Sequence, residues 1–232
     1  MENMNSYNDR FYIRPVSGNH VSRFIVINHY AQKIPGNTQY VFGLFIKKSK
    51  KMIGCCTFGF SAGVGVQHDS KYKIIELTRI ALIENEKNLV SWWISKCFVL
   101  LPKPLLLISY ADPNHGHTGC IYQALNWIYT GESASITDYL INSKIEHNLV
   151  FNRYFRNNPE RLKNTEIVKF KQLPKYRYFY PLGTKAQKKE MKQYIEKRFG
   201  IFPYPKGDLK RYNMDEERQK RKEIETQRGF NL

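Results

Sequence analysis

No stretch of this 232-residue chain reaches the roughly 18 uninterrupted apolar residues of a membrane-spanning helix. Its opening, "MENMNSYNDRFYIRP", lacks the apolar core of a secretory signal, so neither a membrane span nor export is expected and the chain reads as cytoplasmic. Cysteine is scarce: Cys55, Cys56, Cys97 and Cys120 sit among apolar neighbours, with no Cys-x-x-Cys spacing. That excludes a disulfide framework and a thiolate zinc site and predicts reduced packing residues. Acidic residues are also few, 20 against 37 lysines and arginines, which leaves a formal net charge of +17. An excess of that size predicts a polyanionic partner, nucleic acid ahead of an anionic membrane.

Apolar and aromatic residues are not scarce; at 42% and 14% of the chain they support a substantial core. "FYIRPVS" predicts a first strand. "SGNHVSRFIVINHYAQKIPG" predicts a helix capped by Ser17 or Asn19 and stopped by Pro35-Gly36, with Val21, Phe24, Ile25 and Asn28 on one face and His29 and Tyr30 near its end. "TQYVFGLFIKKSKKMIGCCTFGFS" reads as a hairpin around a Lys-Ser-Lys-Lys turn, and "YKIIELTRIALI" extends it to a three-strand meander. "EKNLVSWWISKCFVLLPK" has the length and periodicity of a helix ended by Pro102 and Pro104. The near-continuous apolar run "PLLLISYAD" predicts a buried central strand of parallel type, followed by a helix over residues 118–129. "KIEHNLVF", "TEIVKFKQL" and "KYRYFYPL" are further strands. The fold class is therefore α/β, a mixed central sheet flanked by helices.

The basic excess is uneven. Residues 144–232 hold 23 basic and 11 acidic side chains, so most of the net charge lies there. Residues 1–183 are read as one catalytic domain and 184–232 as a basic helical C-terminal extension, either a solvated helix and tail or a contact for nucleic acid.

Strand, helix, meander, helix, strand, helix is the element order of the GNAT acyltransferases, whose central strands splay to admit donor and acceptor. Four blocks sharpen that likeness: "NHY" at 28–30, "IELTRIAL" at 75–82, "ISYADPNHGHTGCIYQALNWIYTG" at 108–131 and "KYRYFYPLG" at 175–183. Together they resemble the Mom family of phage DNA-modification proteins, a divergent GNAT branch, over about residues 10–183. The resemblance implies a transferase that attaches a carbamoylmethyl group to N6 of adenine in double-stranded DNA and so shields phage DNA from restriction. It also implies a bound iron ion. Carried onto matching positions, the family's functional residues fall on the pair His29 and Tyr30, on Arg79, on Asp112 and on Tyr122, with the serine on Ser91 or, on the same helix, Ser95.

Chemistry agrees with much of this. Imidazole, phenolate and carboxylate from His29, Tyr30 and Asp112 form a nitrogen and oxygen set suited to iron, with open positions for a substrate. Alternation along "ELTRIAL" sends Leu77, Arg79 and Ala81 to one face and Glu76 to the other, so Arg79 needs an anionic partner such as a donor carboxylate or a DNA phosphate. The N6 lone pair of adenine is delocalised into the ring, which calls for a base, an activated electrophile or both; Asp112, Arg79, Ser91 and Tyr122 are the catalytic candidates. Gly116 and Gly119 would let a ligand approach the start of the following helix, whereas His115 and His117 carry no matched role. Trp92, Trp93 and Trp127 offer at most one ring to stack an extruded base, the rest being core. One departure stands out. The loop "IENEKNLV", where GNAT enzymes hold the coenzyme A pyrophosphate on glycines, has no glycine and carries Glu84 and Glu86, which argues against acetyl-CoA and leaves the donor open. Two other readings remain: a GNAT-type acyltransferase acting on a protein or tRNA amine, and a non-catalytic DNA-binding protein.

Overall fold

The computed structural model describes residues 6–206, except 62, 64, 85, 142, 143, 148–150, 157, 159 and 161–164. Helix α1 (Tyr7–Arg10) leads into β1 (Phe11–Pro15), and α2 (Gly18–Asn28) follows. Ser17 is the cap of α2: its hydroxyl accepts from the His20 N–H at 3.2 Å. The helix stops at Asn28, short of the expected Pro35-Gly36. His29 turns extended, and its Nδ1 accepts from the Ala31 N–H at 3.0 Å, a local bond that competes with the helical ladder. His29 and Tyr30 therefore lie just past the helix end, as the sequence led us to expect.

β2 (Thr38–Ile46), β3 (Met52–Phe60) and β4 (Ile74–Leu82) form the expected antiparallel meander, and β1 pairs on the outer side of β2. α3 (Leu89–Leu100) returns the chain to β5 (Leu105–Ala111), which runs parallel to β4. After a 3₁₀ turn (Pro113–His115) come α4 (Cys120–Ala124) and β6 (Ile128–Glu132). β7 (Thr137–Ile141), β8 (Lys144–His147) and β9 (Ile167–Lys171) follow, with a π-type turn (Asn152–Arg156) between the last two. β10 (Tyr176–Leu182) and α5 (Lys185–Phe199) complete the described chain. The main sheet has the order β1-β2-β3-β4-β5-β10-β6, and a second sheet the order β8-β7-β9.

One face of the main sheet packs on α3 through Leu77, Leu107, Trp93, Ile94 and Phe98. The other carries two smaller cores: Val21 and Ile25 of α2 meet Val41, Cys55 and Ala81, while Met191 and Ile195 of α5 meet Leu106, Ile108 and Phe179. Cys55, Cys56 and Cys97 are free thiols buried within these cores. Among the described residues no helix is long and apolar enough to cross a membrane.

Two expectations change. The helix foreseen over 118–129 is a single turn: Asn126 adopts a left-handed conformation (φ 56°), and from there the run alternates as a strand, Trp127 and Tyr129 facing the α3 core and Ile128 the α5 core. The strands in "KIEHNLVF" and "TEIVKFKQL" exist over Lys144–His147 and Ile167–Lys171, but in the second sheet rather than the central one; residues 148–150 lie outside the described set. The charged helix of the C-terminal extension is present as α5, while residues 207–232 also lie outside the described residues.

Candidate active site

β4 and β5 pair only over Ile74–Glu76 and Leu106–Ile108 and then part, which opens a cleft at their carboxyl ends. That is where ligands sit in open α/β sheets. Ser109, the first residue of β5 past the pairing, donates its hydroxyl to the Leu77 carbonyl at 2.7 Å. Having one proton, Ser109 must then accept from Tyr122, whose hydroxyl lies 2.7 Å away. Tyr122, on α4, thus heads a relay of Tyr122 to Ser109 to Leu77 across the opening. Burial pushes the Tyr122 phenol up to about 12, so it is a neutral proton donor throughout the physiological range. Ser109 lies within the 108–131 block but was given no role; its signal was a small hydroxyl directly after the aliphatic run of β5.

Arg79 is placed by a bulge. In the β3–β4 ladder Leu77 opposes Phe58 and Arg79 opposes Thr57, so Thr78 is an extra residue, with its hydroxyl 2.7 Å from that of Thr57. The bulge reverses the alternation. Leu77 stays on the α3 side, whereas Arg79 and Ala81 move to the α2 side, and Glu76 shares that side with them. The expectation that Leu77, Arg79 and Ala81 share a face and that Glu76 turns away is corrected accordingly. Arg79 Nε donates to the Lys33 carbonyl at 3.0 Å and Nη1 to the Thr78 carbonyl at 2.6 Å. Burial lowers its pKa, partly offset by Tyr30 and Glu76, and the guanidinium keeps its charge.

The His29–Tyr30 wall closes on the far-off strand-to-turn junction. The His29 and Tyr30 rings stack at 4.5 Å, Tyr30 lies 4.3 Å from the His115 ring, and His117 meets Tyr30 edge-on at 5.6 Å. Sequence reasoning brought the two walls together but set His115 and His117 aside; they are the residues through which the walls touch. Desolvation, with Arg79, His117 and His115 nearby, pushes His29 down to about 3, so it is a neutral imidazole. Since its Nδ1 accepts from Ala31, the ring proton sits on Nε2.

Asp112 serves the turn. Its Oδ1 accepts from the Asn114 N–H at 3.0 Å and from Asn114 Nδ2 at 2.8 Å, and its Oδ2 pairs with Lys175 at 2.8 Å. As arranged, His29 offers a protonated Nε2 and the Asp112 oxygens already accept from Asn114 and Lys175, so with Tyr30 they would take iron only once His29 shifts its ring proton and Asp112 turns its unused lone pair to the ion. Among the described residues no group of three His, Cys, Asp or Glu side chains converges on a metal-sized position. Ser91 and Ser95 bond their own helix, donating to the Asn88 carbonyl at 3.0 Å and the Trp92 carbonyl at 2.6 Å, with no hydrogen bond to the other expected residues. Trp93 and Trp127 are fully buried, and Trp92 packs on Tyr7 and Phe11, so Tyr30 and His115 supply the aromatic wall instead. In the glycine-free loop, Glu86 is neutralised by a two-pronged pair with Arg10 at 2.9 and 2.7 Å.

The two glycines divide. Gly116, φ 70°, faces open space and forms the turn. Gly119 is buried at φ 88°, and a Cβ there would lie 2.5–2.7 Å from the Tyr178 ring. Its role is close packing against Tyr178, and the single-turn α4 behind it gathers too few peptide dipoles to act as an anion site. Gly119→Ala is expected to destabilise by about 2–4 kcal/mol, through overpacking plus left-handed strain, against about 1 for Gly116→Ala. Denaturant melts of the two variants check this, and equal losses would show that conformation alone matters.

The splayed parallel pair, the tyrosine relay at the opening and the aromatic-imidazole wall together define a mixed α/β fold with a cleft between β4 and β5. The chain matches the Mom protein family over residues 10–206 and belongs to it. It is similar to the methylcarbamoylase Mom of Escherichia phage Mu, with 26% identity over 202 residues and 78% of each chain covered. Among solved structures it is similar to an N-acetyltransferase of Staphylococcus aureus (14% identity, 74% of this chain and 97% of that one, TM-score 0.40). It is likewise similar to the ribosomal-protein-S5-alanine acetyltransferase of Vibrio fischeri (9%, 75% and 93%, TM-score 0.44).

Proposed function

We propose that this protein is a DNA-modification transferase that attaches a carbamoylmethyl group to N6 of adenine in phage DNA, protecting it from restriction. The observation that carries this reading is the meeting of the family's scattered blocks, 28–30, 75–82 and 108–131, at one cleft. The N6 amine must lose a proton as its new N–C bond forms, and the donor's leaving group must depart. Tyr122 gives its phenolic proton to the departing group and takes up the one that N6 releases as the N–C bond forms, while Ser109 turns its hydroxyl to the transient phenolate; Arg79 directs its remaining N–H groups at oxygen charge that develops during transfer; His115, backed by Tyr30, stacks the extruded adenine. His29, neutral and buried, fixes Tyr30 by stacking. The loop over residues 83–90 supports a donor other than acetyl-CoA, and the net charge of +17, with the basic extension, supports DNA as partner.

Co-expression with plasmid DNA, followed by nucleoside mass spectrometry, tests the reading. The parent chain should yield deoxyadenosine heavier by the added group, and Tyr122→Phe should reduce that product about a hundredfold. Unmodified deoxyadenosine from the parent would sink the reading.

A further inference from the structure

β6 and β10 are antiparallel neighbours in the main sheet, a pair that a tight turn could join. The chain instead spends residues 133–175 between them on the second sheet. That insertion holds eight basic and four acidic residues, so the charge asymmetry of the sequence begins here, before the C-terminal extension. The register sets Tyr139 opposite Lys169 and Thr137 opposite Lys171, which puts Tyr139, Lys169 and Lys171 on one face. Both lysines are exposed. Phe151 stacks flat on Tyr139 at 3.7 Å, Phe155 continues the stack at 6.0 Å, and exposed Arg153 lies between them in sequence. On the opposite face Leu140 and Asp138 are buried and Val168 is exposed, while Ile141, at the far end of the lysine face, is buried. The stem of the insertion is tied to the active-site turn: the Leu173 N–H donates to Asn114 Oδ1 at 3.1 Å, and Lys175 pairs with Asp112 at 2.8 Å.

Lysines beside half-buried stacked aromatics, hung from the catalytic turn, form the kind of surface that takes a phosphate backbone while rings pack on sugars and bases. We propose that the Tyr139, Lys169 and Lys171 face of the inserted sheet is a DNA-contact surface that grips the duplex beside the acceptor adenine. This rests on the reading of DNA as substrate. Lys169 and Lys171 meet phosphates, the aromatic stack lies against the sugar edges, and the Asp112–Lys175 link holds the surface in register with the cleft.

The test uses the full chain and a short fluorescent duplex, with binding measured across a salt series. Lys169→Ala/Lys171→Ala should weaken binding about tenfold or more at low salt and reduce the slope of log affinity against log salt by about 1.8, two phosphates' worth. Lys169→Arg/Lys171→Arg should restore the slope. The control pair Lys47→Ala/Lys51→Ala, on the exposed β2–β3 turn, removes the same charge and should change the slope by less than half as much. An unchanged slope in the first variant, or an equal loss in the control, overturns the proposal. A parent chain that binds through Lys169 and Lys171 yet leaves adenine unmodified would refute the transfer chemistry and keep the surface. A parent chain that modifies DNA with a slope indifferent to these lysines would do the reverse.

Discussion

Asp112→Ala is expected to lower the unfolding free energy by about 2–4 kcal/mol, with Asp112→Asn recovering only part of the loss. Three donors converge on this carboxylate: the Asn114 N–H, Asn114 Nδ2 and Lys175 Nζ. Removing a cap alone costs about 0.5–2 kcal/mol, and charged hydrogen bonds are worth more than neutral ones. The full penalty of a stranded buried charge does not apply, because the Lys175 side chain is 31% exposed and can turn to water. Asparagine can still accept from the Asn114 N–H but cannot pair with Lys175. The sign of the pH effect follows from the same contacts. Burial acts to raise the Asp112 pKa, but Lys175, Asn114 and His115 outweigh it and hold the folded value below 3.8. Its stabilisation is therefore fully present above that value and is lost as pH falls through the folded pKa. The difference between the parent chain and Asp112→Asn in chemical denaturation should shrink in that acid window. An Asp112→Ala variant as stable as the parent at neutral pH would remove the clamp from consideration.

The clamp also shows where sequence reasoning reached and where it stopped. Apolar period and turn residues were enough for the β1-to-β5 frame, because those elements bury regular apolar sets: one face of α2 through Val21 and Ile25, and both faces of β5 through Leu105 to Ile108. The junction at 108–131 was visible as a site because so many polar groups crowd one strand end. Roles within it were not. Asp112 reads as a ligand when only its residue type and position are known, and as a cap once Asn114 and Lys175 are seen on its oxygens. Lys175 lies too far along the chain for any spacing rule to pair the two. His115 looked incidental because its partner, Tyr30, belongs to another element. The strands of the second sheet were legible but their pairing was not, for a similar reason: period two identifies a strand but not the strand it pairs with.

The bulge at Thr78 is the sharpest such case, and it sets the last expectation. One inserted residue moves Arg79 from the α3 core to the cleft wall, a reversal that no alternation count along "ELTRIAL" can reveal. There the two carbonyls of Lys33 and Thr78 hold the guanidinium by Nε and Nη1, which leaves three of its five N–H donors without a protein acceptor among the described residues. A rigid, partly desolvated fork facing Tyr30 and His29 is preorganised for oxygen charge that appears during transfer. Lysine cannot reproduce it: the three donors of an ammonium sit on one atom, without the planar spread that reaches both carbonyls and the substrate at once. Arg79→Lys is therefore expected to keep the charge and most of the stability, within about 1–2 kcal/mol, while DNA modification falls about 10²–10³-fold. The loss should appear in kcat rather than KM, because the interaction strengthens in the transition state. Nucleoside mass spectrometry beside a denaturant melt separates the two effects. Near-parental modification by Arg79→Lys would mean that a point charge is enough at this position and that the fork serves only to tie β4 to the segment after α2.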